Sequence, residues 1–500
     1  MMVERMVKKG VVLLASMVVG TASAMAANVE TMGIGAANTA QAGAVSAYCD
    51  NVYAAYYNPA GLTLIEKPTL SVGAIYYNAK IKVYDWEVKS PVPNDNVAKG
   101  PIDYESDTMN LVIPNSGFAM PINEKMTLGV ATYAPYGLHV TWDKDPAKNP
   151  SAVYAWESKY TRYAVSPTIA YKISDKLSVG FGVSLGRSES DAGKTIEYSD
   201  TVKAGAAKKY TDAATALANN VPGVTAGMVA EAKKAAGLIS VLDGAQMKLE
   251  ASDDFNYSFN VGVMYRPIKE LSFGLAYRGR TSTDFEGDVK ISGANAVDPD
   301  TGAPIMGPDG KQATVNLDGT VTMEYDHPEQ VQAGVRWFVS DKFSMEFDTT
   351  WTGWSINDKQ VEEVEVTIPG VGVVPVTYEH ERDWEDTISY RLGLSYAASE
   401  SLTLRGGYAY DPSPIPDETF EFGWPDIDRN MFSLGLGWKI TDSWALDAVL
   451  QHVRSTKKRS STDSTELEHN YDTVYAPGAK VHLKNEGILW GLGVTMTYTF

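Results

Sequence analysis

Large apolar side chains and small or polar ones alternate along the last stretch of the chain. Ile488, Trp490, Leu492, Val494, Met496, Tyr498 and Phe500 share one face of an extended strand, and Gly487, Gly491, Gly493, Thr495, Thr497 and Thr499 share the other. Period-two alternation predicts a strand with one apolar face. The pattern recurs where Leu177, Val179, Phe181, Val183 and Leu185 oppose Ser178, Gly180, Gly182, Ser184 and Gly186. It recurs again where Phe432, Leu434, Leu436, Trp438 and Ile440 oppose Ser433, Gly435, Gly437 and Lys439. An apolar face ending in an aromatic residue, backed by Gly, Ser and Thr, suits lipid outside and a wet or plugged interior. The fold class expected is all-β, a transmembrane antiparallel up-and-down β-barrel.

Strands are expected at 68–84, 106–121, 125–142, 158–173, 176–190, 246–267, 270–290, 313–339, 342–365, 376–397, 401–411, 428–440, 443–460 and 476–500, about 14 in all. Single-chain bacterial barrels have an even strand number, with short periplasmic turns and long extracellular loops. Asn123-Glu124, Ser174-Asp175, Ser340-Asp341 and Thr441-Asp442 read as the short turns. The longest loop, 191–245, has Ala-rich stretches of helix-forming composition broken at Pro222-Gly223, so short helices are expected there. A second, 291–312, carries turn clusters whose acids lack the spacing of a calcium loop. Strand parity places Arg278, Arg280, Arg336, Glu346, Asp348, Arg391 and Arg405 on the interior face, as a structural network or as a ligand site. A midplane Arg facing lipid would cost about 2–4 kcal/mol.

Residues 1–26 read as a secretory signal: basic Arg5, Lys8 and Lys9, an apolar core from Val11 to Val19, and Ala24-Met25-Ala26 before the cleavage site. The apolar run is shorter than the roughly 20 residues that span a bilayer. Mean hydropathy is slightly negative, −0.20, as expected when half of each strand faces a lumen. The formal charge is −19, and removing Glu4, Arg5, Lys8 and Lys9 (net +2) leaves −21; such acidity excludes nucleic acid as the expected partner. The single cysteine, Cys49, cannot form an intramolecular disulfide. No metal or cofactor is expected, because the six histidines are scattered without ligand spacing. Gly182-Val183-Ser184-Leu185-Gly186 matches a hydrolase motif that needs a strand-to-helix turn, whereas Ser184 sits inside an alternating strand. The chain is therefore read as a non-enzyme, with an outer-membrane lipase as a minor alternative.

A barrel of about fourteen strands lies between those filled by their own side chains and those that form channels. Residues 27–67, rich in Ala and Gly and containing Asn58-Pro59-Ala60-Gly61, are the expected plug, or hatch, with the barrel at 68–500. In the third strand, Ala134-Pro135-Tyr136-Gly137 interrupts the alternation. Proline cannot donate to a ladder, so a kink with unpaired backbone is expected at Pro135, backed by plug or lumen because unpaired groups facing hydrocarbon cost several kcal/mol each. Such a kink would open a hole in the wall.

From about Gly33 to Phe500 the chain resembles the FadL/TodX outer-membrane transporters of long-chain fatty acids and aromatic hydrocarbons. The resemblance rests on Asn58-Pro59-Ala60-Gly61, Val112-Ile113-Pro114-Asn115 with Ala119-Met120-Pro121-Ile122, and Tyr136-Gly137-Leu138. Tyr410-Asp411-Pro412-Ser413-Pro414-Ile415-Pro416, Pro425-Asp426-Ile427-Asp428-Arg429 and the terminal Phe500 complete it. It implies a Gram-negative outer-membrane location, a fourteen-stranded barrel closed by a hatch, and a hydrophobic small-molecule substrate captured among the long loops. That substrate would leave sideways through the kinked strand. It also implies a C-terminal strand read by the barrel assembly machinery; the surroundings would be outer-membrane lipid and lipopolysaccharide, and a closed barrel is expected to be a monomer. Where fatty-acid members carry a serine and a lysine near the carboxylate, this chain has Ala134 and Glu385. Arg391, Arg187, and the apolar Leu238, Ile239 and Leu242 are the candidate substrate contacts. A general porin is the alternative; it would need neither the plug nor Pro135.

Overall fold

The computed structural model describes Glu30 and residues 32–90, 94–298, 303–368, 372–423, 425–455, 459–460, 467, 474–475 and 478–500. The expected signal segment lies outside the described residues. Fourteen strands form the wall: β1 (Thr69–Lys89), β2 (Met109–Pro121), β3 (Met126–Thr141), β4 (Glu157–Ser174), β5 (Leu177–Thr195), β6 (Gln246–Ile268), β7 (Leu271–Arg278), β8 (Gln330–Phe338), β9 (Phe343–Thr352), β10 (Thr387–Ala397), β11 (Leu402–Asp411), β12 (Arg429–Lys439), β13 (Trp444–Ser455) and β14 (Lys480–Thr499). Each pairs antiparallel with the next, and β14 pairs with β1 from Thr69↔Thr499 to Lys89↔Lys480, which closes the ring. At the closing end Phe500 N donates to Pro68 O (3.0 Å).

Outward positions are apolar and uncovered: Val112, Ile169, Phe181, Leu275, Phe347, Leu434 and Leu492 are all exposed. In water such a belt would be a liability, and in a bilayer it is the solvent-matched face. Inward positions meet the N-terminal segment. Its short helices α1 (Ala36–Thr39) and α2 (Ala54–Tyr57), and the 3-10 turn Pro59–Leu64, are almost wholly buried. Asn58 caps that turn: its Oδ1 accepts from Ala60 N (3.1 Å), and its Nδ2 donates to Ser46 O (2.6 Å) and Val263 O (3.0 Å). Wall glycines let this backbone approach closely, since a Cβ at Gly274 would lie 2.0 Å from Ser46 O and one at Gly407 2.4 Å from Ala42 N. The C-terminal strand contributes less than its Gly and Thr face suggests. Thr495 accepts from Ala36 N (3.0 Å), whereas Gly491 and Gly493 are filled by Tyr77 and by Ile75 and Val449 of the neighbouring strands.

Buried charges tie the segment to the wall. Arg336 pairs with Glu346 (3.2 Å), whose Oε1 accepts from Ala47 N (2.6 Å), and Asp348 accepts from Ser46 N (3.0 Å) and Gln332 Nε2 (2.8 Å). Of the seven interior charges expected from parity, Arg280 lies elsewhere: it is half exposed and pairs with Asp326 above the wall.

Arg280 marks a wider correction. The long strands expected at 270–290, 313–339, 342–365 and 376–397 each divide into a wall strand and an extracellular one, the latter being Thr281–Asn295, Thr314–His327, Lys359–Ile368 and Gly372–Glu381. These four pair in sequence, and Thr281–Asn295 also pairs with the upper part of β6. The cause is a change of solvent. In β7 the odd-numbered Phe273 and Leu275 face outward to lipid, whereas beyond Gly279 the odd-numbered Phe285, Val289 and Ile291 face inward and Asp284, Glu286 and Asp288 outward. One alternation crosses from lipid into water, so the apolar face must reverse and the strand must break. Helices α3 (Asp200–Ala218) and α4 (Ala226–Leu242), longer than the expected short helices, lie in the 191–245 loop, and α4 packs into the same core through Leu238, Ile239 and Leu242.

Replacing Gly274 or Gly407 with Val is expected to displace the N-terminal segment at a cost of roughly 1–3 kcal/mol, leaving a heat-modifiable barrel whose residues 32–66 become protease-sensitive. Electrophoretic mobility with and without boiling, followed by limited proteolysis, checks this.

Candidate functional site: a gap in the wall

Strand β3 alternates normally up to Thr132, and then Tyr133, Ala134 and Pro135 are all buried in succession. The chain turns inward there. Against β4 the register runs from Tyr133↔Ala164 to Tyr136↔Arg162, so Ala134 and Pro135 together oppose Tyr163 alone, a bulge where proline has no N–H to offer. On its other side β3 pairs with β2 only from Thr127↔Pro121 to Thr132↔Ser116. The two strands meet again at the top, where Asp107 N donates to Thr141 O (2.8 Å) and Thr141 Oγ1 to the Asp107 carboxylate (3.0 Å). Between these levels β2 pairs with β1, and β3 from Tyr136 upward pairs with β4. Among the described residues, nothing ladders Met109–Asn115 to Tyr133–Val140. From inside, Glu30 forms an antiparallel bridge with Tyr136.

Both sides of this gap are apolar hollows. On the membrane side one of about 650 Å³ is lined by Val72, Asn115, Thr132, Tyr133, Tyr163 and Val165. On the lumenal side a cavity of about 130 Å³ is lined by both lips of the gap, Met109 and Leu111 of β2 and Gly137 to Val140 of β3, with Ile81, Ile427, Val453, Ile488 and Leu489 opposite. Met32 lines this cavity and also a smaller polar chamber of about 50 Å³. There Arg278 donates to Gln330 (2.8 Å) and Gln332 (3.2 Å), and Arg391 donates to Ser389 (2.6 Å) and Thr350 (2.9 Å). The chamber's own charges balance, Arg278 and Arg391 against Glu30 and Asp411. Arg429, which pairs with Asp411 (2.6 Å), lines the apolar cavity together with Asp426, so three arginines stand among three carboxylates across the two spaces.

A family model described as outer membrane protein transport protein (OMPP1/FadL/TodX) matches residues 13–500. The chain belongs to this family. It is 27% identical to a 47 kDa outer membrane protein of Pasteurella multocida, over 88% of this chain and 90% of that one. It is 23% identical to a long-chain fatty acid transport protein of Escherichia coli O6:H1, over 89% of this chain and 87% of that one. In fold it is similar to a Pseudomonas aeruginosa FadL homologue (TM-score 0.68, 17% identity, 95% of this chain and 100% of that one). It is likewise similar to the P. putida toluene transporter TodX (TM-score 0.63, 15% identity, 94% and 99%). As a FadL/TodX member the protein is a transport barrel of the Gram-negative outer membrane.

The expected kink and substrate-contact residues fall in four places. Ala134, Pro135, Tyr136 and Gly137 form the kink, and Arg391 lies in the polar chamber. Arg187 points outward on the rim of the membrane-side hollow, 3.4 Å from both Glu189 and Asp254. Leu238, Ile239 and Leu242 are buried in the extracellular core and line none of the three cavities. Glu385, where the family's lysine would stand, is exposed. Sequence reasoning assigned no role to Glu30, Met32 or Arg429; the last lay within the Pro425–Arg429 block, whose Asp-x-Asp-Arg charges were the available signal.

Opening the Arg429–Asp411 pair by Asp411→Ala is expected to destabilise the barrel by about 3–5 kcal/mol, because it strands a buried guanidinium, whereas Asp411→Ala with Arg429→Met recovers most of that loss. Denaturant titration of the two variants, followed by mobility shift, reads the difference.

Proposed function

We propose that the protein imports long-chain fatty carboxylates and releases them sideways through the β2–β3 gap. The observation that carries this reading is the placement of an apolar cavity on the lumenal side and an apolar hollow on the membrane side of one stretch of wall without a ladder. A greasy chain gains nothing from an aqueous exit, and each buried CH2 favours the hydrocarbon by about 0.8 kcal/mol. Residues 27–67 act as the hatch, the extracellular sheet and helices take up the substrate, and Arg391 and Arg429 meet the carboxylate while its tail lies along Met109, Leu111 and Leu138. These arginines do the work of the family's serine and lysine, replaced here by Ala134 and Glu385.

The name of the E. coli relative, a long-chain fatty acid transport protein, supports this substrate; the toluene transporter TodX among the fold neighbours favours a second reading, uptake of neutral aromatic hydrocarbons. The protein acts without chemistry: Ser184 lies in mid-strand β5, accepting from Arg162 (3.2 Å). It works as a monomer among outer-membrane lipid and lipopolysaccharide, inserted by the assembly machinery through the strand ending at Phe500.

Two experiments test this. Deleting Ala134 and replacing Pro135 with Thr removes the bulge, and is expected to lower oleate uptake at least ten-fold in a barrel that remains heat-modifiable; unchanged uptake rejects the lateral route. Arg391→Gln with Arg429→Gln and Asp411→Asn, the last so that no carboxylate is left unpaired, is expected to raise the half-saturating oleate concentration by about ten-fold, the range of a lost charge-assisted hydrogen bond, without changing toluene uptake. Equal effects on both substrates favour the hydrocarbon reading, and a large steady ionic current through wild-type protein in planar bilayers would indicate a porin.

A further inference from the structure

His327 is the last residue of the extracellular strand Thr314–His327, and Pro328 and Glu329 lead from it into β8. It is fully buried. The ring of Tyr136, the residue after the kink proline, lies flat on its imidazole, with centroids 3.9 Å apart and planes 7° from parallel. The Nε2 atom is hydrogen-bonded to the Tyr160 hydroxyl on β4, which also donates to Ser188 Oγ on β5 (3.2 Å). Tyr325 packs edge-on from the same strand as His327 (5.1 Å, 88°). Burial, with the Arg162 guanidinium adding to it, pushes this imidazole well below the usual histidine range, so a neutral ring faces Tyr136. Tyr136 is held from its other side by the bridge to Glu30, and the Glu30 carboxylate accepts from Gln330 at the start of β8. Three parts of the molecule therefore meet at one tyrosine: the extracellular sheet, the N-terminal segment and the lip of the gap.

We propose that His327 is a positioning residue for lateral release: by clamping the Tyr136 ring it keeps the kinked segment engaged with Glu30, and it transmits movement of the extracellular strand to the gap. The clamp touches no substrate and acts only through Tyr136. This inference rests on the lateral route proposed above, and adds to it the contact through which the extracellular sheet controls the opening.

Hydrogen exchange of the mature chain in lipid nanodiscs tests it. In His327→Ala, without ligand, the amides of Ala134 and of residues 136–138 are expected to exchange roughly ten-fold faster, the scale of a lost aromatic stack and hydrogen bond together, while 127–132 and 159–165 stay within about two-fold of wild type. His327→Phe, which keeps a stacking ring, is expected to restore most of the protection. No rise at 134–138, or a rise shared equally by the two flanking segments, overturns the proposal. If His327→Ala loses heat-modifiability, His327→Leu, which fills the space without a flat ring, is read by the same criteria. Added oleate is expected to loosen 134–138 in wild type and to have no further effect in His327→Ala; an equal response in both overturns the transmission. Absence of any oleate response in wild type counts against the fatty-acid reading, and the ligand-free comparison still decides the clamp.

Discussion

A chain that crosses hydrocarbon must satisfy each backbone donor and acceptor within itself, because unsatisfied groups there cost several kcal/mol apiece. The closed ladder from β1 round to β14 meets this requirement, and it dictates the rest of the molecule. It leaves the outer face free to be uniformly apolar and the inner face free to be glycine, hydroxyl and charge. It also makes any break in the ladder conspicuous. The break between Met109–Asn115 and Tyr133–Val140 survives because the chain there turns inward at Ala134-Pro135, where the N-terminal segment reaches it at Glu30. The gap and the filled lumen are thus one feature, since a hole in the wall requires something behind it.

The same bargain between polar groups appears inside the barrel. Arg336, Glu346 and Asp348 would be a poor source of stability as isolated buried charges, yet two of them accept backbone N–H groups of Ser46 and Ala47 that have left regular structure. They fix where the N-terminal segment sits and so where Met32 and Glu30 emerge at its upper end. That position joins an apolar cavity to a polar chamber of two arginines and two carboxylates through a single methionine.

Much of the wall was legible in the sequence, because lipid on one side and packed polar groups on the other impose a strict period of two. Pro135 stood out for the same reason, as the residue least able to serve a central strand. What alternation could not reveal was the point at which lipid gives way to water. Phe273 and Phe285 share a parity but face opposite ways, so four strands were read as continuous through breaks at their tops. Contacts between distant segments left still less trace: the sequence showed His327 only as one of six scattered histidines, and Arg429 only as part of a motif. Leu238, Ile239 and Leu242 read as apolar surface for a ligand, and they are packed instead beneath the extracellular sheet, because periodicity shows that a face is covered without showing by what.

The claim on which the account turns is that substrate passes through the gap into the membrane. The most direct measurement is photo-cross-linking of a diazirine-bearing oleate to the protein in bilayers, with labelled residues mapped by mass spectrometry. Labelling is expected at Leu111 and Leu138 on the lumenal side, and at Tyr163 and Val165 on the membrane side well in excess of Phe347 and Leu434, which are at least comparably exposed to lipid. Labelling of Tyr163 and Val165 no stronger than that of Phe347, together with cross-links to Leu62 and Ile65 in the N-terminal segment, would place the route through the barrel axis and contradict it.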